Sequence, residues 1–243
     1  TWLRLVGWDA QQLAGGYKAF RRQVVDDIES IVPQMQMRVL CGATGSAKTR
    51  VLHALKQLGE QVIDLEGLAR HKGSLLGSLP GVAQPSQKHF ETLLAGELKA
   101  LDLSRPVYLE GESPKIGRVA LPLVLVQCMR QSAVVEIQAS ASARLSYLLR
   151  DYAYLGDDVE KLCERLSFLK EIQGNATVTR WQEWAQARAL PSLFDELMHV
   201  HYDPLYERSQ SKHFVQWDQR SSWEVDDLSD AAIERLAQSI ASA

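Results

Sequence analysis

The sequence predicts an α/β fold: a mostly parallel sheet flanked by helices, with a helical subdomain toward the C-terminal end. Three observations predict it. Short β-prone runs alternate with segments of helical periodicity over the first two-thirds of the chain, the order that builds parallel sheets. A glycine-containing loop, Gly42 to Thr49, joins one such run to a helical segment. After about Ser140 the β-prone runs give way to leucines at helical spacing. At 243 residues with 46% hydrophobic content, the chain can bury one sizeable core, or a main domain with a small appendage.

In chain order, Arg38-Val39-Leu40-Cys41 reads as the first strand and runs into the loop at Gly42. Val51, Leu52, Leu55 and Leu58 then recur at offsets of one, four and seven, one apolar stripe of a helix, with Gly59 where a helix-terminating glycine belongs. Gln61 to Leu65 reads as a second strand. A Gly- and Ser-rich loop from Gly67 to Gly81 leads to Pro85-Ser86, a helix-start signal, and then to Phe90, Leu93, Leu94, Leu98 and Leu101 at helical spacing. Pro106 to Glu110 and Ala133 to Ile137 are further β-prone runs with a helical stretch between them. Beyond Ser140, three groups mark the helices of a subdomain or lid: Leu145, Leu148 and Leu149; Leu162, Leu166 and Leu169; Trp181, Trp184 and Ala185. His213 to Trp217 reads as a late strand, and Leu228, Ile233, Leu236 and Ile240 as the apolar face of a final helix.

The net charge of −3 excludes a uniformly basic surface, so a polyanionic partner has to bind a local basic patch. Cys41, Cys128 and Cys163 form no CxxC pair, which speaks against a zinc site or a disulfide framework and for a reducing, cytoplasmic setting. No apolar stretch has bilayer-spanning length and the first residues show no basic-then-apolar signal, so no membrane partner is expected. The chain begins at Thr1 rather than Met, which reads as a hint of sequence removed upstream.

Gly42-Ala43-Thr44-Gly45-Ser46-Ala47-Lys48-Thr49 matches the Walker A pattern of a P-loop NTPase-like domain, except that Ala47 stands where the last glycine is usual. Such a loop wraps backbone N–H groups around a diphosphate, adds the Lys48 ammonium and sets the bound charge at a helix N-terminus. Thr49 offers its hydroxyl to Mg²⁺. The extra methyl of Ala47 is harmless with helical dihedrals and costs about 1–2 kcal/mol with left-handed ones. Glu110, at the end of a strand beside this loop, is placed to organise Mg²⁺ or water, whereas Glu112 reads equally well as a solvated loop carboxylate. Asp64 and Glu66 face the same crevice by the same logic, and one of them is expected to reach the metal or a substrate hydroxyl. Arg70, His71, Lys72, Lys115, Arg118, Arg144 and Arg150 supply basic groups near these strand ends; arginines there can close over phosphates, though each taken singly reads as surface charge. Cys41 reads as a small buried hydrophobe, and the Trp181/Trp184 pair as packing rather than a base-stacking platform.

Further stretches make the pattern specific. Asp64-Leu65-Glu66-Gly67-Leu68-Ala69, His71-Lys72-Gly73-Ser74, Gln84-Pro85-Ser86-Gln87 with Phe90-Glu91, and Glu110-Gly111-Glu112-Ser113 with Ile116-Gly117 stand with the loop in one order. In that order and spacing, over roughly residues 38 to 220, they resemble the tRNA 2-selenouridine synthase family. Upstream, Gly7-Trp8 and Leu13-Ala14-Gly15-Gly16-Tyr17-Lys18-Ala19-Phe20-Arg21 resemble the end of a rhodanese domain. The resemblance therefore divides the chain into residues 1–30, a rhodanese remnant with linker, and residues 31–243, the P-loop domain with its helical subdomain from about 140. In this family the rhodanese active-site cysteine lies upstream of that tail, so the resemblance implies a truncated enzyme.

It also implies a reaction at the wobble uridine of the tRNA anticodon stem-loop. A geranyl group passes from geranyl diphosphate to the sulfur of 2-thiouridine, and selenium from selenophosphate then replaces the geranylthio group. On that reading Gly42, Ala43, Thr44, Gly45, Ser46, Ala47, Lys48 and Thr49, with His71 and Ser74, bind the diphosphate. Thr49, Asp64 and Glu110 hold Mg²⁺, and Lys48, Glu110, Arg118 and Arg144 serve catalysis by organising the metal and neutralising the leaving group. Two other readings stay open: a small-molecule P-loop kinase with the segment after Ser140 as lid, and a non-catalytic tRNA-binding module. The sequence is silent on oligomeric state.

Overall fold

The four β-prone runs before Ser140 are strands of one sheet. A computed structural model describes residues 2–11, 14–111 and 113–243, so Glu112 and Leu13 lie outside the described residues. The chain runs through α1 (Trp2–Leu5), α2 (Gly16–Ile31), a 3₁₀ turn at Val32–Gln34, β1 (Gln36–Cys41), α3 (Lys48–Gln57), β2 (Gln61–Ile63), α4 (Leu65–Ala69), α5 (Gln87–Lys99) and β3 (Pro106–Glu110). A small hairpin, β4 (Lys115–Ile116) and β5 (Val119–Ala120), precedes α6 (Leu123–Gln131), β6 (Ala133–Ala139) and α7 (Ala141–Asp151). There follow α8 (Val159–Ser167), α9 (Lys170–Gln173), α10 (Asn175–Gln186) and α11 (Leu190–Glu196). A π-helical segment, Leu197–Tyr202, leads into α12 (Asp203–His213), and the edge strand β7 (Ser221–Val225) and α13 (Asp230–Ala241) close the chain.

The sheet order is β2-β3-β1-β6-β7, with every pairing parallel. Side chains alternate across a strand, and the sequence uses both faces. Met37, Val39 and Cys41 of β1, with Val107 and Leu109 of β3, turn to the core built with α2, α5 and α6, where Val24, Phe90, Leu94 and Leu125 are buried. Leu40 and Tyr108 turn to the opposite core, where α3 and α13 bring Leu52, Leu55, Ile233 and Leu236. Ser86 caps α5 by accepting from the His89 N–H, as the Pro85-Ser86 start signal predicts, and Ser229 caps α13 in the same way through Ala232. α2 passes through the boundary near residue 30 and buries Val24 and Ile28 in the first of these cores.

A third apolar cluster holds the helical subdomain together. Leu162, Leu166, Val178, Leu193 and Phe194 surround Trp181, which is wholly buried, while Trp184 is half-buried beneath the Arg180 guanidinium. That is the packing role expected of the pair.

The late strand is displaced from its expected place. His213 ends α12, buried Phe214 anchors to the first core, and a 3₁₀ turn follows at Trp217–Gln219; the strand is Ser221–Val225. The apolar pair Phe214 and Trp217 packs as a loop anchor, and β7 pairs on one side only with a largely exposed face, so it carries no readable alternation. The sequence reading also missed the β4–β5 hairpin. Gln84 stitches it down: its side-chain amide donates to the carbonyls of Ala69 and Ile116, and its oxygen accepts from the Arg118 N–H. Gln87 does the same to Ala120, exchanging a bond with each backbone group. Gly117 turns between the strands at φ +57°, where a Cβ would come 2.3 Å from Gln84 Oε1.

Candidate functional site

β1 lies mid-sheet, and the chain leaves it for opposite sides through β3 and β6, so the loop after β1 opens into the crevice beyond the strand ends. The loop ends as α3 begins at Lys48, which aims the unpaired N–H groups of that helix back into the crevice. Ser46 N–H closes a turn onto Ala43 O at 3.1 Å. Lys48 Nζ donates to Gly42 O at 2.8 Å, which holds the ammonium over the loop.

Two loop residues have positive φ. Gly45 stands at +87°, and Ala47 at φ 58°, ψ 28°, which is left-handed. Of the two outcomes the sequence left for Ala47, the strained one holds, at about 1–2 kcal/mol. Burial of its methyl against the α3 face offsets about 0.8 kcal/mol of that.

Carboxylates converge on Thr49. Its Oγ1 lies 2.5 Å from Glu110 Oε1 and 3.0 Å from Glu66 Oε2, and the Glu66 N–H reaches Glu110 Oε2 at 3.4 Å. Glu110 is fully buried at the end of β3. A hydroxyl has one proton to give, so it serves one carboxylate at a time. One hydroxyl and two carboxylates form a hard-oxygen set that suits Mg²⁺, which takes one or two carboxylates and fills its shell with phosphate oxygens and water. Among the described residues no group of three or more His, Cys, Asp or Glu side chains is arranged to hold a metal, and this mode of Mg²⁺ binding does not need one.

A cavity of about 380 Å³ opens over the loop, lined by Thr44 to Arg50, His53, Glu66, the turn Lys72-Gly73-Ser74, and Tyr147, Leu148, Asp151, Tyr152 and Tyr202. Lys72 is a second lysine on this wall. Its Nζ bonds the Asp151 carboxylate at 2.6 Å and the Asp151 carbonyl at 2.8 Å, and sits 4.5 Å from the centre of the Tyr152 ring. Tyr152 and Tyr202 line the cavity beside Ser74. Burial pushes Tyr202 up to about 12 and raises Tyr152 and Tyr147 above the ordinary phenol value, so all three stay protonated and able to donate at neutral pH.

Of the residues read from the sequence, Thr44 to Thr49 and Ser74 line this cavity, Gly42 and Ala43 form the near side of the loop, and Glu110 sits at its floor through Thr49. Asp64 does not join them: it caps α4, accepting from the Gly67 N–H at 2.6 Å, and its other oxygen meets His53 Nε2 at 2.8 Å. Glu66 takes the place expected of one of the two acids. His71 is buried off the cavity, and burial together with the Arg165 charge lowers its pKa. Arg118 is exposed in the β4–β5 turn, outside the cavity lining. Arg144 lies behind the loop, with Nη2 donating to both carboxylate oxygens of Asp203 at 2.8 and 3.0 Å. Lys72, Tyr152 and Tyr202 complete the site. Only the run His71-Lys72-Gly73-Ser74 signalled any of them, because the tyrosines arrive from the helical subdomain.

Comparison with known proteins places these features in a family context. A family model described as the tRNA 2-selenouridine synthase AAA domain matches residues 35–164. The tRNA 2-selenouridine synthase of Alcanivorax borkumensis is 42% identical over 154 residues, 63% of this chain and 41% of that protein. That of Nitrosomonas europaea is 37% identical over 154 residues, 62% of this chain and 40% of that protein. That of Shewanella frigidimarina is 31% identical over 253 aligned residues, 90% of this chain and 68% of that protein. The matched part thus spans about 40% of the length of the first two relatives.

Proposed function

The chain belongs to the tRNA 2-selenouridine synthase family, and we propose that its loop domain binds geranyl diphosphate and transfers the geranyl group to the sulfur of 2-thiouridine at the tRNA wobble position. The observation that carries the reading is the Thr49 hydroxyl set between Glu66 and Glu110 at the foot of a diphosphate-sized, donor-lined cavity. In the transfer the sulfur forms a bond to C1 of the geranyl chain, the C1–O bond breaks, its electron pair leaves on diphosphate, and the N3 proton of the base passes to solvent. Charge therefore develops on the diphosphate, and preorganised donors stabilise such charge best in a cavity shielded from water.

The α3 N-terminus, the loop N–H groups and Lys48 bind the leaving diphosphate. Lys72, paired with Asp151 on the opposite wall, has a further N–H to offer it, and the protonated phenols of Tyr147, Tyr152 and Tyr202 add donors. Thr49 with Glu66 and Glu110 would hold Mg²⁺, which would supply further charge neutralisation on the diphosphate. Arg144 supports the loop from behind through its ion pair with Asp203.

Replacement of the geranylthio group by selenium from selenophosphate belongs to the family's second step, and we assign it to the rhodanese cysteine expected upstream of residues 1–30. Calorimetric titration tests the first step. Geranyl diphosphate should bind Lys48→Ala about 10–100-fold more weakly than the parent chain, the equivalent of one lost charge-assisted hydrogen bond. Equal affinity would contradict the reading.

A further inference from the structure

A second cavity, of about 400 Å³, lies on the other side of Thr44 from the phosphate cavity, between α6 and α12 beyond the C-terminal end of β3. Its walls are Val126 and Met129 of α6, Leu205 and Tyr206 of α12, and Phe214, with Ser113, Arg130, Ser209 and His213 around them. Thr44 and Tyr202 line this cavity, the phosphate cavity, and a narrow apolar cleft running between Leu76, Leu148, Phe194 and Met198. The three spaces therefore meet at one point beside the loop. We propose that the α6–α12 cavity receives an unpaired nucleotide of the acceptor RNA, with its base against Tyr206 and Phe214 and its flanking phosphates on Arg130, Arg208 and Lys212.

The lining chooses the occupant. The volume suits a nucleoside, and its mix of an apolar wall with a few polar groups is that of a site that orients as well as buries. The Tyr206 ring is held rigidly, by its hydroxyl on Glu136 Oε1 at 3.4 Å and by an edge contact with Trp217, which is what a stacking surface for a splayed-out base requires. The cleft toward Leu76 and Met198 has a lining without charge and only about 20 Å³ of room, whereas the wider cavity carries Arg130 in its lining. Leu205, Ser209 and His213 lie on one face of α12, and helical spacing places Arg208 and Lys212 beside it. Neither of these, nor Arg130 in the last turn of α6, forms an ion pair among the described residues. In a chain of net charge −3 this is a local basic patch of the kind that RNA phosphates need.

The inference rests on the diphosphate reading of the loop, and the test separates the two. Ser209→Trp fills the cavity mouth, and a second variant, Arg130→Ala with Arg208→Ala and Lys212→Ala, removes the cations without filling anything. Each is titrated with an anticodon stem-loop RNA carrying 2-thiouridine, with inorganic pyrophosphate and with geranyl diphosphate, after circular dichroism has shown parent-like folding. RNA affinity should fall about tenfold or more in both variants, and the dependence of log affinity on log salt should flatten in the triple variant by roughly 0.7–0.9 for each phosphate no longer neutralised, with both diphosphate affinities unchanged. Parent-like RNA affinity in both variants, with pyrophosphate still bound, overturns the inference and leaves the loop reading standing. Weaker geranyl diphosphate binding by Ser209→Trp with unchanged pyrophosphate binding overturns it in favour of a prenyl-chain cavity. A parent chain that binds no pyrophosphate removes the loop reading and the inference together.

Discussion

Gly45→Ala tests how tightly the phosphate loop is braced against α7. Gly45 sits at φ +87°, and a Cβ there would come 2.9 Å from Leu148 Cγ, 3.0 Å from Leu148 Cδ1 and 3.2 Å from the Arg144 carbonyl oxygen. The backbone strain costs about 1–2 kcal/mol. Crowding into the packed helix adds about 1–3 kcal/mol, since the Leu148 side chain can turn aside but the carbonyl cannot. Lower freedom in the unfolded chain returns about 0.4–1 kcal/mol. The net loss should be roughly 1–5 kcal/mol, read as a lower urea midpoint at constant slope. If the loop instead slides off α7 to relieve the crowding, stability is partly spared and pyrophosphate affinity falls, because the N–H groups no longer converge. A loss below about 0.5 kcal/mol together with parent-like pyrophosphate affinity would refute the packing argument.

Ala47→Gly should change stability by less than about 1 kcal/mol, because relief of left-handed strain nearly cancels the lost methyl and the freer unfolded chain. Ala47→Val, β-branched at the same dihedrals, should cost more than about 2 kcal/mol; urea melts of the pair decide, and a tolerated valine would contradict the assigned backbone. Glu110→Gln and Glu66→Gln should each raise the Mg²⁺ concentration needed for half-maximal pyrophosphate binding by about tenfold, and an unchanged requirement would remove both from the metal site. Acid should destabilise the fold through His71 and His201, whose folded pKa values burial holds below the ordinary 6.5. Their unfolded forms take up protons first, so stability is intact above pH 6.5 and falls as pH drops from there toward the lowered values. His201→Gln should flatten that decline in thermal melts, and an equally steep decline would contradict a buried neutral imidazole.

Much of this architecture was legible in the sequence because the residues concerned answer to local rules. The loop between a strand and a helix, the β-prone inner strands and the Ser86 cap are each set by neighbours a few residues away. Glu110 was legible for the same reason, as an acid at a strand end. Asp64 misled because a strand-end carboxylate and a helix N-cap look alike; Leu65, Leu68 and Ala69 following at helical spacing were the signal that α4 begins there and uses the Asp64 oxygen as its cap. Arg144 misled because its charge is spent on Asp203, 59 residues away, a pairing that only the folded chain brings about. The edge strand β7 and the tyrosine wall depend on similar long-range packing, and no periodicity announces them.

Prenyl transfer by this loop domain can be read by nucleoside mass spectrometry. The chain is incubated with geranyl diphosphate, Mg²⁺ and tRNA containing 2-thiouridine, beside the Lys48→Ala variant. A geranyl adduct on the thionucleoside is expected, with matching release of pyrophosphate, both lost in the variant. Binding of both substrates by the parent chain without any adduct would contradict it.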